Sequence, residues 1–357
     1  MKGLLLHGIE VQPAVLSTVA GAVHYETTEC ADKKKALAKE LSVLLRANVP
    51  GGSAVRCIYA ASSLGIAAGL TALKLPLEGA LTDCVAVGEL SMDGRLRPVK
   101  GTVAYARYAD AHGLRLICPS SMEPLASHYC SSVIHADTFD SLLAECRLAQ
   151  ASAEYTTPVS NRHAEEKPRA EVCIERLPAN VVARAVQAFE QGKHVLLIGQ
   201  AGTGKTLLAQ YLVSLLPELD AETADEVNTI WSVDGLLHES PIRYAPLRAP
   251  HHTCSMLGIE GELSLAHGGA LFLDELPEFR RNVLDAVHSA LLDGAVRHAG
   301  RTVPARFRLI AAMNPCPCGA GPERCRCSAE SIERYLSRVP RWIRELCVVV
   351  KSESEEQ

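Results

Sequence analysis

The sequence has no uncharged apolar stretch long enough to cross a bilayer. The longest, between Arg56 and Lys74, is rich in Ala, Ser and Gly. It falls short of the roughly 20 residues a spanning helix needs, so it reads as a buried helix and the chain as one without a membrane partner. An export signal is also lacking, because the opening MKGLLLHGIEVQPAVL is broken by His7 and Glu10. So is an excess of positive charge. Lys and Arg number 36 against 41 Asp and Glu, for a formal net charge of -5, and any contact with nucleic acid must come from a local basic patch. The 13 Cys are odd in number and scattered without an export signal, which argues against a disulfide framework and for reduced thiols in the cytoplasm. Internal repeats are absent, as are low-complexity tracts beyond the acidic ending KSESEEQ.

What is present is the composition of an ordinary globular protein, 48% hydrophobic and 22% charged. At 357 residues the chain exceeds the size, about 250 to 300 residues, at which single cores stop growing, so two domains are expected. Over residues 1–149, short β-rich runs (Leu4–Val11, Cys84–Gly88, Leu114–Pro119) alternate with Ala-rich helical stretches such as Val103–His112, which reads as an α/β domain. Residues 150–170 lose apolar periodicity and fill with Ser, Thr, Pro, Glu and Arg, the mark of a solvated linker.

The second domain is expected over 171–340. Ala179–Phe189 has helical apolar spacing that Gly192 can end, and His194–Ile198 (HVLLI) is a fully apolar strand. A helix over Lys205–Leu216, strands at Ala270–Leu273 and Leu309–Met313, and a helix over Arg280–Leu292 follow. Strands alternating with helices imply a mostly parallel sheet.

Between the first strand and helix stands GQAGTGKT, Gly199–Thr206. Gly199, Gly202 and Gly204 allow successive backbone N–H groups to turn toward phosphate oxygens. Lys205 would reach the β and γ phosphates of ATP, and Thr206 would place its hydroxyl on Mg²⁺. The helix adds its positive N-terminal end. Hydrolysis also needs an acid pair on a neighbouring strand, and ALFLDE (Ala270–Glu275) supplies one. Asp274 can hold hydrated Mg²⁺ while Glu275 polarises the attacking water. Asn314, ending the strand LIAAM, is either a turn former or an amide that orients water or γ phosphate.

Long stretches then resemble the magnesium-chelatase-like AAA+ ATPases of bacteria, specifically the ComM (YifB) competence group. They are APLRAPHH (Ala245–His252), GELSLAHGGALFLDELPEF (Gly261–Phe279), PARFRLIAAMNPCPCG (Pro304–Gly319) and, earlier, GELSMDGRLRPVKG (Gly88–Gly101). The resemblance implies an N-terminal Lon-protease-like domain joined to a P-loop AAA+ core that assembles as a ring, a hexamer in expectation, and performs ATP-driven branch migration of DNA. It assigns phosphate, metal, base and sensor roles to Lys205, Thr206, Asp274, Glu275 and Asn314.

The departures carry expectations of their own. Val103 stands where a Lon-type lysine would be, Lys100 is three places out of register, and Ser62 or Ser63 without a base is inert. The first domain is therefore expected to be proteolytically inactive, a scaffold or partner-binding module. The family continues into a helical lid with a second sensor arginine, whereas this chain ends at Gln357. Residues 341–357 accordingly read as a degenerate or truncated tail. Within it Arg344, with Arg341 behind it, is the candidate for an arginine finger donated to a neighbour. Glu175–Val182, where the family places adenine contacts, assigns none.

Cys316, Cys318, Cys325 and Cys327 form C-x-C, six residues, C-x-C. Four thiolates suffice for tetrahedral Zn²⁺, and reduced loop cysteines are the alternative. Gly294–Pro322 holds Arg297, His298, Arg301, Arg306 and Arg308 and no acid. It reads either as a pore-facing hairpin gripping DNA phosphates or as a solvated one. His251 and His252 are ligands or part of a structural loop. Two rival functions remain: the motor subunit of a metal chelatase, and a nucleotide-binding protein without turnover.

Overall fold

Each half of the chain folds its apolar runs into a sheet of its own. A computed structural model describes strand backbone at residues 2–7, 10–19, 22–26 and 56–57, and residues 83–91, 93–151, 172–175, 177–237, 239–298, 301–320 and 324–351. Two compact units result, Met1–Glu166 with Asn228–Pro241, and Lys167–Val227 with Ile242–Gln357. A single linear boundary could not reveal that residues 228–241 return to the first unit. None of the helices among the described residues is long and apolar enough to cross a membrane.

The first unit carries a seven-stranded sheet ordered β4-β3-β2-β1-β5-β8-β9, with β1 at Lys2–His7, β2 at Glu10–Val19, β3 at Ala22–Glu26, β4 at Arg56–Cys57, β5 at Cys84–Ala86, β8 at Arg115–Pro119 and β9 at Val133–Ala136. The two-residue strands β6 (Glu89–Leu90) and β7 (Leu96–Arg97) pair separately. The expected strand Leu4–Val11 is two strands, since β1 and β2 run antiparallel with His7 opposite Glu10. The helix expected after Arg56 lies outside the described residues from residue 58 on, as do Ser62, Ser63 and residues 152–170 of the expected linker. Helix α1 (Thr102–Ala111) follows Gly101, whose φ of 93° suits glycine. Val103 is fully buried in its first turn, so that position holds packing rather than a catalytic amine. Two helices, α2 (Glu123–Ala126) and α3 (Phe139–Ala151), complete the unit as described.

The second unit is a five-stranded parallel sheet ordered β11-β12-β15-β10-β16. Its strands are β10 (His194–Ile198), β11 (Leu247–Arg248), β12 (Ala270–Leu273), β15 (Arg308–Met313) and β16 (Cys347–Lys351). Alternate residues face opposite sides. Leu196, Leu271, Leu273, Leu309, Ala311 and Met313 pack with α7 (Met256–Leu265) and α8 (Arg281–Asp293). Val195, Leu197, Ala270, Phe272, Ile310 and Val350 pack with α4 (Ala179–Glu190) and α5 (Lys205–Ser214). Burial on both faces is why these strands read as unbroken apolar runs. Each fully buried large side chain contributes about 1.5–3 kcal/mol.

The tail expected over 341–357 is corrected for its described part. Residues 341–346 form a short helix, α10 (Arg341–Leu346), after α9 (Ala329–Ser337), and β16 then pairs with β10 along its whole length, Cys347 opposite His194 and Lys351 opposite Ile198. The fold therefore extends to Lys351, because the apolar VVV run completes the sheet. The remaining helix, α6 (Ala221–Asp234), and an antiparallel hairpin, β13 (Ala295–His298) with β14 (Arg301–Pro304), stand outside the sheet.

Candidate functional site

The GQAGTGKT loop leaves the C-terminal end of β10 and enters α5, as its strand–loop–helix reading requires. Gly202 and Gly204 adopt left-handed φ of 79° and 83°, and a Cβ on Gly204 would collide with the Leu177 side chain. The Gly199 N–H donates to the Met313 carbonyl at 3.2 Å, tying the loop to β15.

Lys205 folds back over its own loop. Its Nζ donates to the carbonyls of Gly199 (2.9 Å) and Gln200 (2.8 Å) and to Asn314 Oδ1 (3.1 Å). Burial lowers its pKa, and the charges of Asp274 and Glu275 oppose that shift. Thr206 Oγ1 donates to Asp274 Oδ2 at 3.2 Å, so the hydroxyl and carboxylate expected to share a metal already face each other. Asp274 also accepts the Glu275 N–H at 2.9 Å. Glu275 is the one non-glycine residue with positive φ among those described, at 52°, and such strain concentrates where function requires it. Lys205, Thr206, Asp274, Glu275 and Asn314 thus meet beyond the C-terminal ends of β10, β12 and β15.

Arg344 does not join them within one chain. It lies in α10 ahead of β16 and donates to the Leu336 carbonyl at 2.6 Å. Arg341 pairs with Glu345 at 2.6 Å. Beside the loop, Leu177, Pro178, Val181, Leu208 and Val350 line a small, mainly apolar recess. Its first members fall in the Glu175–Val182 stretch, to which the sequence assigned no contact.

The four cysteines converge. Their sulfurs all lie within 4.8 Å of one another, with 3.4 Å between Cys316 and Cys318, 3.7 Å between Cys318 and Cys325, and 3.5 Å between Cys325 and Cys316. Sulfurs tetrahedral about zinc at about 2.3 Å would stand about 3.8 Å apart, so the donor set fits a zinc ion. A backbone hydrogen bond from Ala320 is the largest influence lowering the Cys318 thiol to about 7, while burial pushes Cys316 up to about 12.

The basic hairpin is partly corrected. Arg306 pairs with Glu226 at 2.7 Å. Arg308 stacks over the Phe189 ring at 4.7 Å and donates to the Phe189 carbonyl, and burial lowers its pKa. Arg308 is thereby engaged within the fold, whereas Arg306 stays 63% exposed and Arg297 is exposed on β13. Two relationships were invisible in the sequence. His252 Nδ1 lies 3.2 Å from Glu275 Oε2, and the Ala201 N–H donates to the Gly319 carbonyl at 3.1 Å. Both need a loop distant in sequence to fold onto the P-loop region, and only the motif context of APHH and NPCPCG hinted at them.

Residues 179–353 match the family described as magnesium chelatase, subunit ChlI. The chain is 35% identical over 286 residues to the YifB protein of Escherichia coli (strain K12), covering 71% of this chain and 52% of that protein. It is 36% identical over 279 residues to the protein Rv2897c of Mycobacterium tuberculosis, covering 72% and 54%. With the competence protein ComM of Haemophilus influenzae it shares 43% over 172 residues, covering 44% and 34%. The chain spans about half the length of the first two relatives. The solved branch migration motor RuvB of Thermotoga maritima is a remote likeness, TM-score 0.30 at 16% identity over 51% of this chain and 48% of that one, and decides nothing.

Proposed function

Over residues 179–353 the chain belongs to the magnesium-chelatase-like AAA+ proteins of the YifB/ComM type, and on that footing we propose that it hydrolyses ATP with Mg²⁺ and uses the cycle to branch-migrate DNA as a ring, a hexamer. The observation that carries this reading is the meeting of Lys205, Thr206, Asp274, Glu275 and Asn314 beyond the C-terminal ends of β10, β12 and β15.

The loop amides and the α5 N-terminus bind the phosphates. Lys205 exchanges its carbonyl partners for β and γ oxygens. Thr206 and Asp274 would hold Mg²⁺, which when bound neutralises charge on the β and γ phosphates. Glu275 takes a proton from the attacking water, and Asn314 orients the γ phosphate. The recess at Leu177 and Val181 receives the adenine ring. Arg344, exposed on α10, serves a neighbour's site. Zn²⁺ occupies the four-cysteine cluster, Arg297 on the hairpin meets DNA phosphates, and the first unit is a Lon-like scaffold without proteolysis, in a cytoplasmic protein.

ATP turnover of the purified chain, with and without branched DNA, tests the reading. Turnover that DNA stimulates and that Lys205→Ala or Glu275→Gln abolishes supports it. Tight ATP binding without turnover would overturn it in favour of a non-hydrolysing nucleotide binder.

A further inference from the structure

The four-cysteine cluster is built into the wall of the nucleotide site. Cys316 and Cys318 follow Asn314 within four residues, and Gly319 comes next. The Gly319 N–H closes a turn on the Cys316 carbonyl at 3.1 Å, and its φ of 66° is one glycine favours. A Cβ there would stand 3.0 Å from Asn314 Nδ2 and 3.5 Å from the Ala201 Cβ, so the turn is pressed against both the sensor amide and the P-loop. In the opposite direction the Gly319 carbonyl accepts the Ala201 N–H at 3.1 Å, and Asn314 Oδ1 accepts from Lys205. After Cys327, α9 begins at a Ser328 cap, and its buried Tyr335 is held by a backbone hydrogen bond from Asn314. Asn314 therefore touches both Lys205 of the P-loop and, through Tyr335, the helix that follows the cysteines.

We propose that zinc bound by Cys316, Cys318, Cys325 and Cys327 clamps this loop so that Gly319 and Asn314 hold the P-loop in its nucleotide-binding form, making ATP affinity depend on the metal. The inference rests on the nucleotide reading above. The physical reason is loop closure. Four metal–sulfur bonds would join the two C-x-C halves, holding Cys316 and Cys318 against Cys325 and Cys327. With the metal gone, the Ala201–Gly319 hydrogen bond has to be formed anew each time nucleotide binds. Losing one such pre-formed bond corresponds to about a tenfold loss of affinity.

The test uses the full chain. Zinc content is measured by elemental analysis for the wild type, for Cys325→Ser and for Cys327→Ser, whose altered residues do not touch the P-loop in any described contact. Binding of a fluorescent ATP analogue is titrated before chelation, after chelation, and after zinc is restored, while hydrogen exchange is followed over residues 200–204. About one zinc per chain, analogue affinity about tenfold weaker after stripping and regained with zinc, and faster exchange at Ala201 in the stripped protein support the inference. Chelation acts on protein that is already folded, so a serine variant that fails to fold leaves the measurement intact. Absence of zinc, or zinc whose removal leaves affinity and exchange unchanged, overturns the clamp and leaves the nucleotide reading standing. A zinc-loaded wild type that binds no nucleotide overturns both.

Discussion

His252 Nδ1 stands 3.2 Å from Glu275 Oε2, although the two lie on different loops, and His252 also meets the Phe279 ring edge-on at 6.4 Å. On the proposed reading Glu275 polarises the attacking water, and among the described contacts its carboxylate has His252 as a fixed neighbour. Because Glu275 is 59% exposed, water screens the pair, and its worth is nearer about 1 kcal/mol than the value for a buried bond. Replacing His252 by Ala should lower kcat about fivefold with KM for ATP little changed, whereas Glu275→Gln should cost about a hundredfold or more. Steady-state kinetics on both variants decide the matter, and an unaltered kcat in the histidine variant removes His252 from any positioning role.

Lys205 occupies carbonyls that ATP must displace, so its replacement acts on binding. Lys205→Ala should weaken ATP affinity by about a hundredfold, the scale of losing charge-assisted bonds to phosphate in a half-buried site. Calorimetric titration measures this without turnover. Affinity equal to wild type would place the phosphates elsewhere.

One buried and one half-buried imidazole predict acid sensitivity. His267 is 1% exposed, accepts the Arg306 backbone N–H at Nδ1 (3.1 Å) and faces Glu226 through Nε2 at 2.8 Å. His194 accepts the Leu309 N–H at Nδ1 (3.0 Å). These partners make both rings neutral, with the proton on Nε2. Burial is the main cause holding both below the usual 6.5, opposed at His267 by Glu226 and reinforced at His194 by the charge of Arg308. A folded-state pKa below the unfolded one means that the unfolded chain binds more protons. The stability is therefore complete above about pH 6.5 and is lost as pH falls through the folded values. Urea midpoints should decline between about pH 7 and about pH 5.5, and His267→Gln should flatten that decline. A midpoint independent of pH over this window contradicts the assignment.

Val350 is 1% exposed on β16 and packs against the α4 and α5 side of the sheet. If residues 347–351 are a structural strand, Val350→Ala should destabilise the second unit by about 1–3 kcal/mol, and truncation after Leu346 should unfold it. Thermal melts show which, and a truncated chain with an unchanged melt would restore the reading of a tail.

The proposed nucleotide site was largely legible in the sequence because each of its parts is local. GQAGTGKT needs only a strand before it and a helix after it, and ALFLDE and LIAAMN are apolar runs ending in polar residues, which buried parallel strands produce whatever surrounds them. The end of the domain was misread for a corresponding reason. Five residues reading CVVVK look like any short apolar run, and only pairing with β10 makes them the fifth strand.

By itself the sequence determined the glycine-rich loop between strand and helix, the acid pair and Asn314 at the ends of their strands, and the C-x-C spacing, since each depends on backbone conformation and on residues close in the chain. Tertiary structure alone decided that the cysteines meet, that Gly319 closes on Ala201, that His252 reaches Glu275, and that Arg306 and Arg308 are engaged with Glu226 and Phe189. Those pairings join segments up to 119 residues apart. Their energy comes from burial and hydrogen-bond geometry that exist only once the sheet is assembled, so no local pattern can encode them.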